Sequence, residues 1–156
     1  MIDPESGRID PRLAVVDPIL WASRKRAAEM GKLMLEPTDV LVNLLEDPSF
    51  SGIVLSVGVD IDRLRIAIDK IESQVSRAKI EKIREVSGFD RTLFTSYVLV
   101  QSVQIAERIA ETEGEDFVLP QHLLAGMIRQ ENNTALRSLR DAGATPDQLK
   151  VLARMK

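Results

Sequence analysis

Cysteine is absent from the chain, so neither a disulfide framework nor a thiolate metal site is open to it. Histidine occurs once, at His122, and one imidazole with scattered carboxylates offers no metal-ligand spacing; no metal and no cofactor are expected. Aromatic residues are only 4% of the chain, and 21 Lys and Arg are outnumbered by 24 Asp and Glu. A net charge of −3 with so few stacking rings argues against nucleic acid and against an anionic membrane as partners. Hydrophobic runs are short and broken by charges, so no transmembrane span is expected. The opening Met1-Ile2-Asp3-Pro4-Glu5-Ser6 lacks the basic-then-apolar profile of a signal peptide, and a cytoplasmic location is the expectation. A phosphate-binding Gly-x-x-x-x-Gly-Lys-Ser/Thr loop is missing as well. The only Gly-Lys is Gly31-Lys32, with Arg26 in place of the first glycine and Leu33 in place of the hydroxyl. No enzyme activity is expected.

What the chain does have, it has twice. The stretch Ala27–Leu45 is answered at Ala110–Ile128, a step of 83 residues. Ala27 matches Ala110, Gly31 matches Gly114, Pro37 matches Pro120 and Leu41 matches Leu124. Apolar positions correspond too: Leu35 with Val118, Val40 with Leu123, Leu44 with Met127, Leu45 with Ile128. Further on the step becomes 85, placing Gly58 against Gly143, Asp62 against Asp147 and Leu64 against Leu149.

Each copy carries the same punctuation. Asp17-Pro18 starts a helix that Gly31 stops, and Pro37 starts a second with Val40, Leu41, Leu44 and Leu45 on one face. A short apolar helix over Gly52–Val57 ends at Gly58, and Asp60 caps a fourth that extends to about Val86. The second copy predicts helices over Thr95–Glu113, from Pro120, over Asn133–Ala142, and from the Thr145-Pro146-Asp147-Gln148 capping box. No run reads as a strand. The prediction is an all-α, eight-helix bundle made of two pseudo-twofold-related four-helix repeats, each too small to close a core alone. Residues 1–16 read as an N-terminal arm and 17–156 as a single domain. Within it, repeat one covers about 17–65, a linking helix about 66–90 and repeat two about 91–156.

The order of these elements, with Pro120–Ile128 and the more diverged Pro37–Leu45, resembles the double Clp N repeat that precedes the ATPase rings of ClpA- and ClpC-type proteins. Val54-x-x-Val57-Gly58 and Leu139-x-x-Ala142-Gly143 supply the second half of each repeat. The resemblance implies a non-catalytic module that recruits or regulates substrates or adaptors of a Clp unfoldase–protease. Its partners would be a Clp ATPase, a Clp protease, and adaptor or substrate proteins. In ClpC-type domains, a glutamate at each Thr-Glu-His start clamps phosphorylated arginine. The matching positions here are Thr38 and Gln121, neither charged, so that ligand loses both ionic partners. The accompanying hydroxyl position matches Ser96 in one copy and Leu13 in the other. Thr38, Gln121, Ser96 and His122 are accordingly the candidate peptide-binding residues, for a neutral peptide or an adaptor surface.

Other signals read more plainly. His122 has no orienting carboxylate beside it in sequence, and a capping or hydrogen-bonding role suits it better than catalysis. Arg24-Lys25-Arg26 reads first as a solvated helix end that complements the helix dipole, with a docking point for an acidic partner as the alternative. Leu64, Ile68, Ile71, Val75 and Ala78 follow 4-3-4-3 spacing, a seam for the chain's own bundle or for a homodimer. Phe50, Ile53 and Val54 either fill the first repeat's core or form a lip for a partner segment. The alternative function is a scaffold or self-association module with no link to proteolysis.

Overall fold

The prolines and glycines of the two copies set the helix ends. The computed structural model describes residues 11–32, 34–73 and 94–154. Asp17 and Pro18 open α1 (Asp17–Glu29), which gives way to Gly31. Pro37 opens α2 (Pro37–Glu46). Next comes α3 (Pro48–Val57), which begins four residues before the predicted start at Gly52. Pro48 suits a first helical turn, and the Ser51 amide already donates to the Asp47 carbonyl at 2.9 Å. Helix α4 occupies residues 61–73, where Asp60 Oδ1 accepts from the amides of Asp62 (2.9 Å) and Arg63 (3.2 Å). The predicted continuation to Val86, with Val75 and Ala78 of the seam, lies outside the described residues.

The second copy supplies α5 (Tyr97–Thr112), α6 (Pro120–Ile128), α7 (Thr134–Asp141) and α8 (Pro146–Arg154). Ser96 is the cap of α5, its Oγ accepting from the Leu99 amide at 3.1 Å, so the helix starts two residues after Thr95. Thr145 and Gln148 exchange amide-to-side-chain bonds at 2.9 and 3.2 Å, the reciprocal box the sequence predicts. Asn133 does more than cap α7. Its Oδ1 accepts from the Ala135 amide at 2.8 Å, while its Nδ2 donates to Ser102 Oγ and Gln130 Oε1. Asn133→Ala removes the cap and strands buried partners, and is expected to cost about 2 kcal/mol. A lower urea midpoint at unchanged slope is the readout.

The copies clasp each other at both ends. Entering α2, β1 (Met34–Leu35) pairs in parallel with β2 (Phe94–Thr95), and the Ser96 amide donates to the Leu35 carbonyl at 2.9 Å. The pseudo-twofold counterpart of the Leu35–Thr95 strand pair is the Val118 amide donating to the Arg12 carbonyl at 2.8 Å. Two residues are too few to show strand periodicity, which is why the pair escapes sequence reading; the fold class is all-α. At the other end, Gln148 Nε2 donates to the Val57 carbonyl at 3.1 Å beside Gly58. Arg63, the mate of Gln148, lies against Gly143. Both glycines have positive φ, 98° and 94°, and an added Cβ would sit 3.0 Å from the Gln148 amide and 3.3 Å from the Arg63 guanidinium.

One core results. Leu41 and Leu44 of α2 and Leu123, Leu124 and Met127 of α6 are buried with Leu64, Leu99, Leu136 and Leu139. Leu13 and Val16, within the stretch expected as an N-terminal arm, are buried there too; positions 1–10 lie outside the described residues. Phe50 and Val54 fill the core as well, with Ile53 packed against it. Leu64, Ile68 and Ile71 face the chain's own bundle. Among the described residues no single helix is long and apolar enough to cross a membrane.

Candidate functional site

Helices α2 and α6 begin alike, with proline in the first turn and a side chain at the third position folding back onto the preceding amide. Asp39 Oδ2 accepts from the Glu36 amide at 3.0 Å, and His122 Nδ1 accepts from the Leu119 amide at 2.9 Å. Positions 39 and 122 are repeat mates, so a carboxylate and an imidazole perform one task. Because Nδ1 accepts, the proton of neutral His122 is on Nε2, which donates to Glu113 Oε2 at 2.7 Å. The orienting carboxylate is therefore present, nine residues upstream at the end of α5. His122 is 1% exposed and serves the domain internally.

Asp39 turns its second oxygen into a buried ion cluster. Oδ1 accepts from Arg26 at 2.6 Å and from Lys32 Nζ at 2.9 Å. Glu72 of α4 takes the same Arg26 through two bonds, at 2.8 and 2.7 Å. It also accepts from Lys32 Nζ, and from Thr38 Oγ1 at 3.3 Å. Two cations and two carboxylates thus balance inside the fold, where only the Arg26 side chain keeps appreciable exposure, 19%. Burial alone pushes the Glu72 carboxyl up, but its bonds to Arg26 and Lys32 more than offset this and hold it below the ordinary carboxylate range. The Glu72 bonds in turn push the Arg26 guanidinium further up.

Arg26 therefore departs from the solvated helix end predicted for Arg24-Lys25-Arg26. The cluster escapes sequence reading because its partners are far apart: 46 residues for Arg26–Glu72 and 40 for Lys32–Glu72. One signal was available. Glu72 continues the Leu64–Ile68 stripe at spacing four, which puts an acid on the buried face of α4.

The four candidate residues fall at two pseudo-equivalent junctions. Thr38 and Ser96 share the first, joined through the Leu35–Ser96 backbone bond. Gln121 and His122 are at the second, where Val118 meets Arg12. Thr38, Ser96 and His122 are buried, with polar atoms engaged by Glu72, the Leu99 amide and Glu113 respectively. Gln121 is half-buried. The sequence missed an exposed aromatic at each junction: Tyr97, 73% exposed, beside Ser96, and Phe117, 45% exposed, beside Val118. At the second junction an open groove of about 470 Å³ is lined by Arg12, Glu107, Ala110, Glu111, Phe117 and Val118, among others, with Arg12 and Glu107 paired at 2.8 Å. Among the described residues no group of three or more His, Asp or Glu is placed to hold a metal ion.

Residues 93–154 match the model of the Clp repeat (R) N-terminal domain. The match falls on the second copy, whose Pro120–Ile128 run is the closer of the two to the family pattern. Two curated relatives, both named chaperone protein ClpB, come from Brucella suis biovar 1 (strain 1330) and Brucella melitensis biotype 1. Each is 26% identical over 123 residues, 79% of this chain, and the chain spans only 13% of their length. Among solved structures, the N-terminal domain of the caseinolytic protease associated chaperone ClpD from Arabidopsis thaliana has a TM-score of 0.65 and 23% identity. That match covers 95% of this chain and 96% of the other. A structure from investigations of a malarial protein secretion system reaches a TM-score of 0.72 at 19% identity, covering 93% of each chain. At these identities the structures establish a shared fold.

Proposed function

We propose that this chain, whose residues 93–154 match the Clp repeat N-terminal domain, is a non-catalytic protein-binding module that recruits or regulates substrates or adaptors of a Clp unfoldase–protease. Its partners on this reading are a Clp ATPase, the Clp protease, and adaptor or substrate proteins in the cytoplasm. One observation carries the proposal: Thr38, Asp39 and His122 at the two helix starts are spent inside the domain, while each junction turns an aromatic outward. Buried groups bonded to one another offer no convergent acid–base pair for chemistry, whereas exposed aromatics are efficient anchors for a protein partner. Thr38, Ser96 and His122 shape the two junctions from within, and Gln121 is the candidate nearest to a partner's reach. With Thr38 bonded to Glu72, the first junction suits a neutral segment better than phosphorylated arginine.

The test is a reconstituted degradation assay with purified Clp ATPase and protease, an adaptor-dependent substrate and increasing amounts of the chain. The expected result is a dose-dependent change in degradation rate, weakened roughly tenfold or more in half-effective concentration by Tyr97→Ala or Phe117→Ala. An unchanged rate at every dose contradicts the proposal.

A further inference from the structure

We infer that a second copy of this chain docks head to tail on the open face of α4. Arg63, Ile66, Ala67 and Lys70 stand at i, i+3, i+4 and i+7, one side of the helix. Together with Asp141 at the end of α7 they line an open groove of about 540 Å³. Ile66 is 68% exposed, whereas Leu64, Ile68 and Ile71 of the same helix are buried. Two cations therefore bracket an outward apolar centre, at a separation of about 10.5 Å along the helix axis. Among the described residues neither Arg63 nor Lys70 is paired with a carboxylate at ion-pair distance, although the chain as a whole is at −3.

The complement is on the same molecule. Glu107, Glu111, Glu115 and Asp116 line the groove beside half-exposed Phe117, with Arg12 their one cation. Phe117 of one copy can cover Ile66 and Ala67 of the next while the carboxylates face Arg63 and Lys70. The two patches are different surfaces, so the contact is heterologous and passes from copy to copy. Small grooves and exposed charges make it weak, reversible and sensitive to salt. The inference does not depend on the proteolytic role.

Sedimentation velocity over a concentration series tests it. The weight-average sedimentation coefficient of the wild-type chain is expected to rise with concentration in low salt and to stay flat at about 1 M salt, where the screening length is ~3 Å. Two double charge reversals at exposed positions are compared, with circular dichroism and thermal melts verifying that each variant folds: Arg63→Glu with Lys70→Glu, and Glu111→Lys with Glu115→Lys. Each variant alone is expected to remain monomeric, and an equimolar mixture to associate, because it restores one native pairing of faces. A wild-type chain that stays monomeric throughout overturns the inference. So does association that survives either reversal, or a mixture that fails to associate.

Discussion

Gly126→Ala is expected to destabilise the domain by about 3 kcal/mol and lower its melting temperature by roughly 10 °C. A Cβ at position 126 would lie 2.3 Å from the Ser102 carbonyl oxygen, 3.2 Å from its carbon and 3.3 Å from the Ala106 nitrogen. All three are backbone atoms of α5, so no rotamer change relieves the clash and α5 and α6 must separate. Separation opens the seam between Leu99 and Val103 on one side and Leu123 and Met127 on the other, all of them core residues. The penalty exceeds the ~1 kcal/mol by which alanine ordinarily outranks glycine inside a helix. The repeat mate provides a control. Asn43, which matches Gly126, is only half-buried and donates to the Asp39 carbonyl at 2.9 Å, so Asn43→Ala should cost under about 1 kcal/mol. Thermal and urea melts measure both; a Gly126→Ala domain within 0.5 kcal/mol of wild type would show that α5 and α6 are not in backbone contact.

Removing Glu72 should cost still more, about 4 kcal/mol, since it leaves Arg26 and Lys32 buried with Asp39 as their sole carboxylate partner in the cluster. The neutral set is turned into one with excess positive charge where water cannot relieve it. Replacing both members of the bidentate pair, Arg26→Met with Glu72→Leu, is expected to cost less than Glu72→Ala alone, because Lys32 and Asp39 then remain balanced. The pH dependence has a definite sign. Glu72 has a folded-state pKa below its ordinary value of 4.5, so the folded state binds that proton less tightly than the unfolded one. Its contribution is therefore complete above about pH 4.5 and fades as pH falls through the lowered folded value. The stability gap between wild type and Glu72→Gln should accordingly be constant near neutrality and narrow below pH 4.5. A gap that widens on acidification would contradict the assignment.

Most of the helix ends were legible because proline and glycine act locally. Asp17-Pro18, Pro37, Pro120 and Thr145-Pro146 start helices where the sequence puts them, and Gly31, Gly58, Gly114 and Gly143 follow helix ends. The 83- and 85-residue steps carried further than expected, for they relate the cross-contacts Leu35–Thr95 and Arg12–Val118, and also Gly58–Gln148 and Arg63–Gly143. Long-range charge pairing was not legible: nothing near Arg26 points to Glu72, and the neighbouring Arg24 and Lys25 suggested solvent. The site suffered for the same reason. Thr38 and His122 were identified by position, but what each faces, Glu72 and Glu113, is decided by how α4 and α5 pack. Tyr97 and Phe117 went unremarked because exposure of a single aromatic leaves no periodic trace.

Affinity capture with chemical cross-linking tests the central claim most directly. The chain is immobilised, exposed to lysate of its source organism at physiological salt, cross-linked, and its partners and cross-linked residues are identified by mass spectrometry. The account predicts enrichment of a Clp ATPase, its protease or an adaptor, with cross-links clustered around the α5 and α6 entries near Tyr97, Phe117 and Gln121. Recovery of the chain alone, or of a complex without any Clp component, would contradict the recruiting role and leave the fold as shared ancestry.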